Sequence, residues 1–192
     1  SIAVAATFSP RFHQVLAEAR RVRDRFDANL SFIYVGKRDA TTTRKFAEAL
    51  EKLQLPADSA IHYAEGDPAE AILATARAHG LELLVAGALE KEAAHRQFLG
   101  NVARRLVREA SCSVMLFLHP ELEPKAIRHM VFMAEYSDHA QQAFRRAPHL
   151  AERENCERLY VIRNYTSFDK ARARRRGKNP RTIARTLDEE EI

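Results

Sequence analysis

Residues 83–107 read "LLVAGALEKEAAHRQFLGNVARRLV", with Gly87 and Gly100 bracketing a largely polar stretch that leads into an amphipathic run. A glycine-flanked segment that ends on a helix N-terminus is one way an α/β protein holds a phosphate. Glycine lets the backbone approach the anion, and the free N–H groups and dipole of the helix favour negative charge. Asn101, just after Gly100, has an amide N–H to donate. Glu90 and Glu92 oppose that chemistry. A carboxylate about 4 Å from one phosphate charge costs about 4 kcal/mol at an effective dielectric near 20, nearly a thousandfold in affinity. Lys91, His95 and Arg96 offset part of this, a bound metal offsets more, and a Glu90 turned to solvent escapes it. The two glycines also have a purely structural reading, as strand terminator and helix entry.

Other reactive residue types lack companions. The eight histidines form no H-x3-H pair and have no cysteines beside them, so the sequence predicts no metal site. Ser9 and Ser137 each follow an apolar run, but spacing places no base near either, and helix N-capping accounts for both. The sequence therefore points away from an enzyme. Cys112 and Cys156 are isolated within or beside apolar runs, which fits buried thiols in a reducing, cytoplasmic compartment. "SIAVAATFSP" lacks the basic start and cleavage site of a signal peptide. It also lacks a methionine, which is compatible with processing or with origin in a longer protein. No run approaches the roughly 18 consecutive apolar residues of a membrane span.

The net charge of +5 is concentrated at the end of the chain, where residues 169–192 hold eight Lys/Arg against five Asp/Glu. "KARARRRGKNPR" (170–181) has seven basic residues in twelve, followed by "DEEE" (188–191). A basic arm for nucleic acid or anionic lipid is one reading. No aromatic residue is interleaved for base stacking, and the acidic run follows closely, so a linker is the preferred reading and nucleic acid is not expected as a partner.

Strands and helices must position the loop. "IAVAATF" (2–8), "LSFIYVG" (30–36), "SAIHYAEG" (59–66), "LELLVAG" (81–87) and "SVMLFLH" (113–119) read as strands. Between them, Phe12, Val15, Leu16, Ala19, Val22 and Phe26 recur at helical spacing, with Ser9 as N-cap and Pro10 in the first turn. Residues 41–55 form a second helix ended by Pro56. Residues 66–80 form a third, with Asp67 as N-cap, Pro68 at the first helical position and Glu70 completing a capping box. A fourth spans 100–111. Strict alternation implies right-handed crossovers and a doubly wound parallel sheet. "PELEP" opens a linker over 120–126, after which "MVFMAEYSD" (130–138), a helix over 140–156 that Pro148 should kink, and "RLYVIRNY" (158–165) repeat the opening pattern. Residues 1–119 thus form one domain, 127–165 a partial second copy, and 166–192 a tail.

"EGDPAEAILATARAHGLELLVAG", the loop, and "LGNVARRLVREASCSVMLFL" together resemble the universal stress protein family in order and spacing over residues 1–119. The resemblance implies a five-stranded Rossmann-like sheet of order 3-2-1-4-5, and tandem copies are common in that family. Nucleotide-binding members carry Gly-x2-Gly-x9-Gly-(Ser/Thr). Here the glycines fall on Gly87, Glu90 and Gly100, with Asn101 at the Ser/Thr position and Val102 next. The Asp that members place at the end of strand one is Thr7, the small residue after it is Phe8, and the valine packing on adenine is kept as Val35. Glu90, Thr7 and Phe8 all work against the ligand. The resemblance therefore implies a non-catalytic regulatory module with a degenerate nucleotide loop and no cofactor. An ATP- or AMP-binding sensor, standing alone or as the soluble part of a larger transporter or signalling protein, stays open as the alternative. The fifth strand of such a sheet lies at an edge, and Val114, Met115, Leu116 and Phe117 follow one another along it without Pro or Lys. Such an edge invites a homodimer.

Overall fold

The computed structural model describes residues 1–88, 90–93, 96–134 and 138–163, with the backbone alone for 90–93, 96–99 and 138–139. The chain divides into two compact units, Ser1–Lys125 and Ala126–Ile192.

In the first unit, β1 (Ile2–Ala6), β2 (Leu30–Val35), β3 (Ile61–Ala64), β4 (Leu83–Gly87) and, after the fourth helix, β7 (Ser113–Phe117) form one sheet. Its order is β3-β2-β1-β4-β7, with every neighbouring pair parallel. This is the doubly wound α/β arrangement that the alternating sequence predicts. The helices are α1 (Phe12–Phe26), α2 (Ala40–Lys52), α3 (Pro68–Ala78) and α4 (Asn101–Glu109). β1 sits at the centre, and all five of its residues are buried. Its alternate side chains therefore serve two cores. Ile2, Val4 and Ala6 pack with Leu16, Val22, Phe46 and Leu50 of α1 and α2. Ala3 and Ala5 pack with Ile72, Leu73, Ala76 and Leu106 of α3 and α4. A parallel sheet covered on both faces needs apolar residues at both phases of the strand, which is why this strand shows no polar alternation.

The element ends correct several expectations. Ser9 does not cap α1: the helix begins after Arg11, with no side-chain cap, and the Phe12 N–H closes a turn on the Ser9 carbonyl at 3.0 Å. α2 stops at Lys52, ahead of Pro56, because Gln54 turns left-handed (φ 52°) and the Leu55 N–H reaches the Leu50 carbonyl at 2.8 Å. That is a Schellman ending, which needs no proline. Asp67 caps α3, accepting from the Glu70 N–H at 2.9 Å, with Pro68 at the first position. The reciprocal box forms instead at α2, where Asp39 accepts from the Thr42 N–H (2.7 Å) and donates its own N–H to Thr42 Oγ1 (3.0 Å). The Thr42 N–H, and then the Thr42 hydroxyl donating to Asp39 Oδ1 at 3.0 Å, hold the Asp39 carboxyl below its usual range. Cys112 is half-buried rather than buried, and burial pushes its thiol up, away from the reactive thiolate.

The second unit has β8 (His129–Ala134), α5 (Asp138–Arg153) and β9 (Arg158–Arg163), with β8 and β9 parallel. α5 runs through Pro148 as one helix. Ser137 and the 170–181 basic run lie outside the described residues. Among the described residues, no helix is long and apolar enough to cross a membrane.

Candidate functional site

β1 pairs with β2 on one side and β4 on the other, so the winding of the chain reverses between β1 and β4. In open α/β sheets, ligands bind outside the carboxyl ends of the strands at such a switch point. A cleft of about 530 Å³ opens there. Thr7, Val35, Gly87, Gly100, Asn101 and Val102 all line it. The fold thus gathers six residues spread over almost 100 positions of sequence.

The seventh position differs. Between Gly87 and Gly100, β5 (Glu90–Ala93) and β6 (Arg96–Leu99) form an antiparallel hairpin in which Glu90 pairs with Leu99 and Ala93 with Arg96. The Glu90 side chain lies outside the described residues. Its backbone belongs to a strand of that hairpin.

Each wall has a local cause. Gly87 ends β4 beneath α1, where a Cβ would stand 2.6 Å from Val15 Cγ2. Packing against a helix is therefore a sufficient reason for this glycine. Gly100 is the N-cap of α4, with φ −57° and ψ 156°, angles open to any residue. No side chain caps α4, and its first turn carries no acidic residue. α3 and α4 are tied together by Arg105, whose Nη1 donates to Asp67 at 2.6 Å while its Nε donates to Glu109 at 3.2 Å. The Glu70 N–H, and then Arg105, hold the Asp67 carboxyl below its usual range, keeping the capping anion charged. Pro68 beside it and Val102 on α4 both face the cleft.

Phe8, the bulky replacement after Thr7, lines the cleft and joins an aromatic cluster. Its ring centroid is 5.0 Å from each of Phe12, Tyr34 and Phe46, and the Lys45 ammonium stands 5.0 Å over its face. Sequence reasoning missed Arg11. Its guanidinium donates from Nη1 to the Leu118 carbonyl at 2.9 Å, fixing it on the cleft lining. The available signal was its place in the turn after the first strand, at the carboxyl end of the sheet.

A second groove, about 610 Å³, lies beside α1, lined in part by Arg20, Arg21 and Arg25. It is away from the strand ends, and its guanidiniums are engaged: Arg20 with the Leu53 carbonyl at 2.7 Å and Arg21 with Glu18 at 3.3 Å. The strand-end cleft is the better candidate. Among the described residues, no cluster of three or more His, Cys, Asp or Glu is placed to hold a metal.

No curated protein matches the chain in sequence. Among solved structures, a universal stress protein from Archaeoglobus fulgidus DSM 4304 is similar over all of this chain and 75% of its own, at 15% identity and a TM-score of 0.61. Universal stress protein UspA from Lactobacillus plantarum aligns over 61% of this chain and 96% of its own, at 22% identity and a TM-score of 0.45. A universal stress protein in complex with cAMP aligns over 60% of this chain and 94% of its own, at 19% identity and a TM-score of 0.49. The model of the Universal stress protein family matches residues 1–117. With the sheet order, the switch-point cleft and this match over more than half its length in agreement, the chain belongs to the universal stress protein family.

Proposed function

We propose that the chain is a non-catalytic regulatory module whose cleft does not take a nucleoside triphosphate. The observation that carries this reading is the hairpin. Where nucleotide-binding relatives have a glycine, this chain has Glu90, paired across two strands with Leu99 rather than lying in an open glycine loop. The described lining adds a single ionised side chain, Arg11, against the several charges of a triphosphate. The test is a thermal melt of the purified chain with millimolar Mg-ATP. The expected result is no shift, whereas a ligand at a hundred times its Kd adds about 2.7 kcal/mol and moves the melt visibly. A clear shift, or co-purified ATP, overturns the reading.

An adenine-nucleotide sensor is the second reading, favoured by the convergence of Thr7, Val35, Gly87, Gly100 and Asn101 on one cleft. Under it, Glu90→Gly strengthens ATP or AMP binding. Under the first reading it leaves both undetectable.

The module acts through association. β7 is an edge strand, so one side of its backbone has no neighbour in the sheet. Val114, Met115, Leu116 and Phe117 are half-buried against both cores, so pairing would rest on the backbone edge more than on bare apolar side chains. A two-fold homodimer through β7 is the simplest closed arrangement. The β8–α5–β9 unit has the parallel strand–helix–strand form of β1–α1–β2, which supports reading it as the start of a second copy of the fold.

A further inference from the structure

The chemistry of the cleft lining specifies a ligand class more narrowly than its position does. Ala6, Ala86 and Gly87 are small residues at the strand ends, and their size leaves the space open. The surrounding walls are aromatic or aliphatic, with rings from Phe8, Phe12, Tyr34 and Phe117 and branched chains from Val35 and Ile72. Among the described lining residues, Arg11 is the one side chain that carries charge at neutral pH, and there is no carboxylate. Arg11 is also held in place, since one of its five N–H donors is engaged by the Leu118 carbonyl. The others remain to meet a planar anion, which a guanidinium grips bidentately. A cleft of about 530 Å³ is of the size that encloses a drug-sized molecule.

We propose that this cleft binds an organic monoanion with a largely apolar body, an aromatic or acyl monocarboxylate, with its carboxylate on Arg11 and its body among the rings. The proposal rests on the reading that the cleft does not take a triphosphate. One positive charge balances one negative charge. A neutral apolar molecule leaves the guanidinium without a counter-charge, and a polyphosphate brings several charges where the described lining offers one. Tyr34, Ser9 and Thr7 supply hydroxyls along the same lining for a polar substituent on the ligand.

The experiment uses the full chain, with 2-naphthoate and decanoate as separate probes, their uncharged primary amides as controls, and Mg-ATP as an independent arm, all by calorimetry and thermal melting. At least one acid binds in the micromolar to low millimolar range, and at least fivefold more tightly than its amide. The arm that binds identifies the body as aromatic or acyl. Arg11→Gln, at an exposed position that makes no side-chain cap, brings the acid down to the affinity of the amide. Val102→Trp fills the mouth at the start of α4 and abolishes binding of both, giving a second variant whose melt is checked alongside. Equal binding of acid and amide, unchanged acid affinity in Arg11→Gln, or no binding of either acid at millimolar concentration overturns the proposal. Silence from the acids together with silence from ATP removes this proposal alone. Stabilisation by Mg-ATP removes the reading on which it rests.

Discussion

Gly87 separates a glycine kept for a ligand from one kept for packing. A Cβ at this position would stand 2.6 Å from Val15 Cγ2, well inside van der Waals contact. Val15 is buried at 7% exposure on α1, and a β-branched residue in a helix is confined to essentially one rotamer, so it has little room to swing aside. Gly87→Ala must then displace α1 or β4. Overpacking of this kind costs about 1–3 kcal/mol. A kilocalorie per mole moves the melting temperature by about 4–8 °C in domains of 60–100 residues and about 2–4 °C in larger ones, so a fall of several degrees is expected. Val15→Ala removes the obstructing methyl groups. Alone it leaves a small cavity and destabilises, but combined with Gly87→Ala it relieves the clash, and the double variant should be at least about 1 kcal/mol more stable than the sum of the singles predicts. Urea denaturation of the four proteins, followed by circular dichroism, measures the cycle. If Gly87→Ala melts like the parent, or the two changes add, Gly87 is not held by packing and its place in the cleft needs another cause.

Two further outcomes follow from the structure. The imidazoles of His62 on β3 and His79 at the end of α3 are 3.9 Å apart, and burial first, then the His79 charge, lowers the pKa of His62 from its ordinary value of 6.5. The folded state therefore binds this proton less readily than the unfolded one. Stability from this group is complete above about pH 6.5 and is lost as pH falls toward the depressed folded value. Melting temperature should fall on acidification through that window, and His62→Gln should flatten the fall; an unchanged slope refutes the assignment. Light scattering at micromolar concentration should give about twice the 21.8 kDa chain mass if β7 pairs two copies. Leu116→Lys should shift that toward the monomer, and a strictly monomeric parent protein refutes the edge pairing.

The parallel sheet was legible in the sequence because its central strands are apolar at both phases and each helix returns a 3.6-residue stripe, and its order followed from the family resemblance. In a doubly wound sheet, those two signals leave few topologies. The ends were less legible. Proline looked like the stop for α2, but the stop was Gln54 in a left-handed conformation, a choice fixed by closure of Leu55 onto Leu50 rather than by residue type. Ser9 looked like a cap because serine next to proline opens many helices. Ser9 instead closes a turn, its carbonyl receiving the Phe12 N–H, and the helix opens at Phe12, after Arg11.

The site divides along the same line. Family spacing pointed to six lining residues, because topology fixes the strand ends that carry Thr7, Val35 and Gly87 and the helix start that carries Gly100, Asn101 and Val102. It gave no warning of the hairpin. "EKEA" and "RQFL" show no strong strand alternation, and the pairing of Glu90 with Leu99 is a choice that propensity does not record. Nor did it find Arg11, since a single arginine in a chain with 31 Lys and Arg carries no signal until the Leu118 carbonyl holds it against the cleft. Topology places positions, and at two of them, Thr7 and Asn101, this chain carries a residue other than the family's. The charge and bulk that the described lining adds to those positions lie in Arg11 and Phe8. That is why substitution at Arg11 bears most directly on ligand class, and substitution at Gly87 on the fold.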